Sequence, residues 1–129
     1  MPGVTRETAD FKRLAASVGT AIVAADYAAH ANWGTTPTIA PLAGSTDTRG
    51  SVTVTAQATT GANPTLTLTF KDGAYAAAPL VVACKGGTAA AAPTTTFWIA
   101  SSTTTTAVFT LIGTPTAGND YVLNYAVLG

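Results

Sequence analysis

His30 is the only histidine of this chain and Cys84 its only cysteine. An imidazole beside a thiol makes a nucleophile–base pair, but these two lie far apart in sequence and neither sits in a recognisable local signature. Cys84 closes the apolar stretch LVVAC, where a free cysteine is expected to be a buried structural thiol. One cysteine excludes an intrachain disulfide and a CxxC metal site.

Beyond residue 31 the carboxylates are Asp47, Asp72 and Asp120, in STDTRG, KDG and GND. Each stretch is a turn signal, and aspartate favours turns because its side chain hydrogen-bonds the local backbone. Glycoside hydrolysis needs two carboxyls placed across one bond, and calcium needs several oxygen ligands. Three scattered turn aspartates suit neither. GGTAAAAP lacks the lysine of a phosphate-binding loop and opens no helix. The reading assigns no catalytic residue, no metal ligand and no cofactor, and expects no enzyme.

Aromatic side chains offer one more chemistry. Trp33, Trp98 and Tyr75, with Tyr121 and Tyr125, could stack on sugar rings as a carbohydrate platform. The preferred role for Trp98, Tyr121 and Tyr125 is to fill a core or a subunit interface, where rigid rings bury large areas. Trp33 lies outside the strand-like block and is expected to contact something other than its own core.

The elements that would hold these residues follow from charge and period. Of 129 residues 9% are charged and formal net charge is zero, so nothing grips nucleic acid or an anionic membrane electrostatically. Arg6, Glu7, Asp10, Lys12 and Arg13 fall within the first 13 residues and leave seven charges for the other 116. That shift marks residues 1–31 as an N-terminal arm, helical in part. Thr8 can cap, Phe11, Leu14, Ala15, Val18 and Ile22 repeat at helical spacing, and Gly19–Thr20 interrupts the pattern. The arm has no apolar run of a signal peptide, so synthesis in the cytosol is expected, and no stretch is long enough to span a bilayer.

Residues 32–129 read as the domain proper. Residues 32–50, with three glycines and two prolines, predict an ordered loop holding one short strand. Beyond it the period falls to two, with Val52 and Val54, then Leu66, Leu68 and Phe70, alternating with threonine. PLVVACK, TTTFWIASS, TAVFTLIG and YVLNYAVLG add four strands, making six short strands with turns between and no helix. The expected fold is all-β, a small antiparallel β-sandwich or barrel. In the last strand both rows are largely apolar, which predicts a central strand or one covered by another chain.

NWGTTPTIA, GSTDTRGSVTVTA, GANPTLTLTF, AAAPLVVACKGG, FWIASSTTTTAVFTL and GTPTAGNDYVLNYAVLG, in that order, resemble a small β-domain of tailed-bacteriophage virion structural proteins of the head-decoration and tail-fibre type. The resemblance covers Asn32 to Gly129 and rests on turns and strand patterns. It implies a homotrimer on the particle. The expectation is a capsid decoration (cement) protein on the virion head, contacting the major capsid protein through the arm. Arg6, Phe11, Arg13, Leu14 and Trp33 are its candidate assembly contacts. The alternative is a tail-fibre or head-fibre domain binding a host glycan through Trp33, Trp98 or Tyr75; a shell or tube built of this chain alone is a third reading.

Overall fold

The computed structural model describes residues 19–86 and 96–129 of the chain. Eight strands run in order: β1 Tyr27–Ala29, β2 Thr38–Pro41, β3 Arg49–Thr55, β4 Thr65–Thr69, β5 Leu80–Lys85, β6 Phe97–Ser102, β7 Thr106–Ile112 and β8 Asp120–Leu128. They form two antiparallel four-stranded sheets, β1-β4-β7-β6 and β2-β3-β8-β5, packed face to face as a sandwich without barrel closure. Only β2–β3 and β6–β7 are hairpin neighbours; the other connections pass between sheets.

The period-two pattern fixes which side chains meet. Val52 and Val54 of β3, Leu66 and Leu68 of β4, Ala107, Phe109 and Leu111 of β7, and Tyr121, Leu123, Tyr125 and Val127 of β8 all point inward and are buried. The intervening threonines take the outer faces, where Thr65 opposes Thr110, Thr69 opposes Thr106, and Thr67 opposes Val108. A β-branched hydroxyl side chain suits such a surface because its stiff χ1 fits the pleat and its methyl packs on the cross-strand neighbour. The β6–β7 turn is built from the same residue type. The Thr103 hydroxyl accepts the amides of Thr105 and Thr106 at 3.2 and 3.1 Å, a local bond that reverses the chain without glycine.

The arm boundary expected at residue 31 falls too late. Residues 19–31 belong to the sandwich: Ile22 and Tyr27 are core residues, and β1 pairs with β4 through Tyr27↔Leu68 and Ala29↔Leu66. After Gly19–Thr20, where the helical pattern breaks, stand two single 3₁₀ turns, Ala24–Asp26 and Ala31–Trp33; the helical repeat through Val18 lies outside the described residues. Burial of Ile22 and Tyr27 outweighs the modest helix preference of an alanine-rich segment, as tertiary packing commonly does. The strand expected within residues 32–50 is β2. Arg6, Phe11, Arg13 and Leu14 lie outside the described residues.

Both ends of the sandwich are closed by aromatic groups. At one end Trp33 is fully buried, with ring centroids 5.8 Å from Trp98 and 5.7 Å from Tyr121. Its indole donates to the Thr65 carbonyl at 3.0 Å, and that of Trp98 crosses from β6 to the Val122 carbonyl of β8 at 3.2 Å. Gly34, at φ +99°, turns the chain away immediately after Trp33, a conformation glycine adopts without strain. At the other end the Tyr27 hydroxyl donates to that of Tyr125 at 3.2 Å, which donates to the Thr46 carbonyl at 2.8 Å. Burial pushes both phenols above the ordinary tyrosine value.

Trp33→Ala removes the centre of the first closure and leaves a cavity at a position with no solvent exposure. Large-to-small core replacements of this kind cost about 3–5 kcal/mol. Chemical denaturation of the variant is expected to show a loss of that size; a loss below about 1 kcal/mol would mean that Trp33 does not hold the two sheets together.

Candidate interaction surface

The surface around the sandwich divides into a charged end, hydroxyl-covered faces and two unlike flanks. The charged end gathers residues 20–26 and two loops. The Asp47 carboxylate, 3% exposed, accepts the amides of Lys71 at 2.9 and 2.7 Å and of Asp72 at 2.7 Å. Asp72 in turn accepts the amide of Thr20 at 2.9 Å and the Thr20 hydroxyl. The Lys71 ammonium donates to the Ala21 carbonyl and to Asp26, each at 3.1 Å. Asp26 also takes the Val23 amide at 2.8 Å, and Ile22 donates its own amide to the Ser45 carbonyl at 2.9 Å. Together these links tie residues 20–26 to the loops at 45–47 and 71–72. They form a clamp that fixes residues 20–26 against the sandwich.

The clamp carries two perturbed carboxyls. Asp26 titrates below its ordinary value, held down chiefly by the Val23 amide and then by Lys71. Asp72 is lowered by the Thr20 hydroxyl and amide. Asp72 is exposed and Asp26 half-buried.

The candidate carbohydrate platform does not assemble. Trp33 and Trp98 are buried at 0% and 6% exposure, because their rings serve the core between the sheets, so neither can present a face to a sugar. The same burial removes Trp33 from the candidate assembly contacts. Tyr75 alone of the three reaches the surface. Its ring stands edge-on to Phe70 at 4.9 Å, in the wall of a hollow of about 230 Å³ shared with Asp47, Thr48, Asp72, Gly73 and Ala74. It sits at the charged end, opposite the end where the indoles pack.

Cys84, expected to be buried, is exposed. It opposes Asn124 across β5 and β8 and so faces outward. The apolar stretch LVVAC signalled a strand, but β5 is an edge strand whose outward row, Leu80, Val82 and Cys84, has no cover among the described residues. His30 caps the Ala31–Trp33 turn, its Nδ1 accepting the Asn32 amide at 3.1 Å. Asp120 accepts the Thr55 hydroxyl at 2.6 Å. No three His, Cys, Asp or Glu residues converge as a metal site among the described residues.

The two flanks of the sandwich are edged differently. On one, β1 has three residues and β2 has four, ending in Pro41. Short strands and proline are the usual means by which sheet edges avoid pairing with another chain. On the other, β5 and β6 each have six residues, with Lys85 at the end of β5 as their one charge. Five of the seven large apolar side chains exposed among the described residues gather here: Leu80, Val82, Phe97, Ile99 and Leu128, each 49–65% exposed. Leu80, Val82 and Leu128 lie on the outer face of one sheet and Phe97 and Ile99 on that of the other, and clusters of exposed apolar groups on a folded domain mark interaction surfaces. No residue spacing pointed to this flank; the apolar outer row of the last strand was its one trace in the sequence.

Comparison with family models, with curated proteins and with solved structures finds no match.

The lowered carboxyls give the clamp a definite pH dependence. A carboxyl whose folded value lies below its unfolded value of about 4 contributes stability above that pH and loses it as the pH falls through the folded value. The Ile22 amide is therefore expected to lose hydrogen-exchange protection under acid while the Leu66 and Leu68 amides of β4 keep theirs. Equal protection at all three down to about pH 2, below the ordinary carboxyl range, would contradict the clamp.

Proposed function

We propose that this chain is a structural protein of a bacteriophage particle, and that it decorates and stabilises the capsid head as a homotrimer. The observation that carries the reading is the β5–β6 flank: an apolar, nearly uncharged edge that no described residue covers, on a domain that protects its other edge. A surface of threonine hydroxyls and aliphatic groups suits joints between subunits. Hydroxyls cost less to dehydrate than ions, whereas the desolvation of a buried ion pair often cancels its attraction.

The second support is the division of charge. The five charges of residues 6–13 precede a sandwich that holds the remaining seven. The clamp through Asp47, Asp72 and Lys71 anchors residues 20–26. In this reading residues 1–18 reach from that anchored root to the major capsid protein or a neighbouring copy. Repetition over many copies gives occupancy through multivalency without tight single contacts. The protein is made in the host cytoplasm and acts on the virion surface. Of the three aromatic residues offered for the glycan-binding alternative, Trp33 and Trp98 are buried and Tyr75 alone remains at the surface.

Residues 1–18 are the segment to remove; deletion through residue 31 would strip β1, Ile22 and Tyr27 from the core. The chain lacking residues 1–18 is expected to keep its near-ultraviolet circular dichroism and lose binding to purified capsids of its phage, measured by co-sedimentation. Binding at the occupancy of the full chain would overturn the role given to these residues.

A further inference from the structure

Asp72–Gly73 is the only place in the 129 residues where an aspartate or asparagine precedes glycine. There a carboxyl lies one residue from a backbone nitrogen that no side chain screens, because glycine has no Cβ. The structure leaves the Gly73 half of the pair open. Gly73 is exposed at φ +109°, and no group beyond its chain neighbours stands within 4 Å of the place a Cβ would take. Asp47 takes the amides of Lys71 and Asp72 and stops one residue short of Gly73. The Asp72 half is held. One carboxylate oxygen accepts the Thr20 amide at 2.9 Å and the other accepts the Thr20 hydroxyl. These bonds, the hydroxyl's first, keep the carboxyl below its ordinary value. The other aspartates among the described residues, Asp26, Asp47 and Asp120, are followed by Tyr27, Thr48 and Tyr121, whose side chains crowd the next nitrogen.

We propose that Asp72–Gly73 is a self-modification site, an aspartate that converts to isoaspartate, and that Thr20 is the latch that holds the conversion back. The Gly73 nitrogen attacks Cγ of the protonated Asp72 carboxyl. The N–Cγ bond forms, a Cγ–O bond breaks, and the oxygen leaves as water with the carboxyl proton and the amide proton. Water then opens the succinimide ring. Attack at Cγ restores aspartate; attack at the backbone carbonyl carbon of residue 72 leaves a main chain that runs through Cγ. Thr20 opposes the first step in two ways. Its bonds favour the ionised carboxylate, whose oxygen leaves poorly, and the loss of either oxygen as water breaks one of them. The isoaspartyl product does not rebuild the latch, since its carboxylate hangs directly on Cα, one carbon shorter. Conversion therefore parts Thr20 from the loop at 71–72, while the Lys71–Asp26 and Ile22–Ser45 links remain. The clamp thus contains a one-way chemical release.

The full-length chain would be incubated for weeks at neutral pH and moderate warmth in three forms: unaltered, Thr20→Val, which removes the hydroxyl and keeps the shape, and Thr20→Ser, which keeps the hydroxyl. Isoaspartate would be quantified by enzymatic methylation and placed by electron-transfer fragmentation, with the unaltered chain in guanidinium as the unlatched reference. Among the described residues it is expected at residue 72 alone. Conversion is expected to be slow in the unaltered chain and in Thr20→Ser, and several-fold faster in Thr20→Val with its near-ultraviolet circular dichroism retained. The isoaspartyl form, separated by chromatography, is expected to lose hydrogen-exchange protection at the Thr20 amide and keep it at Leu66 and Leu68. Equal rates in the unaltered chain and Thr20→Val would overturn the latch, as would an unaltered chain that converts as fast folded as in guanidinium. Absence of isoaspartate at residue 72 from every folded form would overturn the site. An isoaspartyl form that keeps its Thr20 amide protected would overturn the release.

Discussion

Scarcity of charge is the constraint on which the rest of this structure depends. Seven aspartate, lysine and arginine side chains follow residue 13, and five of them are committed to turns and loop ends. Asp47 holds the amides of residues 71 and 72, Asp72 holds Thr20, Asp26 and Lys71 hold one another, and Asp120 holds Thr55. Few are left to cover the sheets. The outer faces are consequently threonine and aliphatic, soluble through hydroxyls and sparing in electrostatic selectivity. Such a domain gains order at its loops and leaves broad surface that loses little when another surface meets it.

The fold was legible because period two survives any choice of polar partner. Val52, Val54, Leu66, Leu68 and Phe109 alternate as cleanly with threonine as they would with lysine. The turn aspartates depart from the local bonds their surroundings suggest: Asp47 holds the amides of residues 71 and 72, Asp72 holds Thr20, and Asp120 holds Thr55. Position within the sheet was not legible. Cys84 lies in an apolar stretch that reads as buried, but an edge strand exposes what a central strand would cover. Trp33 lies in a glycine- and proline-rich loop that reads as surface, yet a single 3₁₀ turn and a glycine at positive φ send its ring between the sheets. β1, three residues long, is too short to show a period, and Ile22 just before it was absorbed into a helical reading. Each of these depends on which strands pair, and that is decided by contacts distant in sequence.

The same pairing explains why the interaction surface has no signature in residue type or spacing. Leu80, Val82, Phe97 and Ile99 are ordinary strand residues until the topology sets β5 and β6 at the edges of their sheets and on one flank. Their exposure is then a property of the fold. The opposite flank shows what protection looks like in this chain, with short strands and a terminal proline, and the contrast gives the open flank its meaning.

The mass of the full-length chain in solution bears most directly on this account. Native mass spectrometry over a dilution series, with the monomer at 12.8 kDa, is predicted to find a homotrimer. A monomer persisting at every concentration would contradict the proposal that this nearly uncharged domain assembles with its own copies.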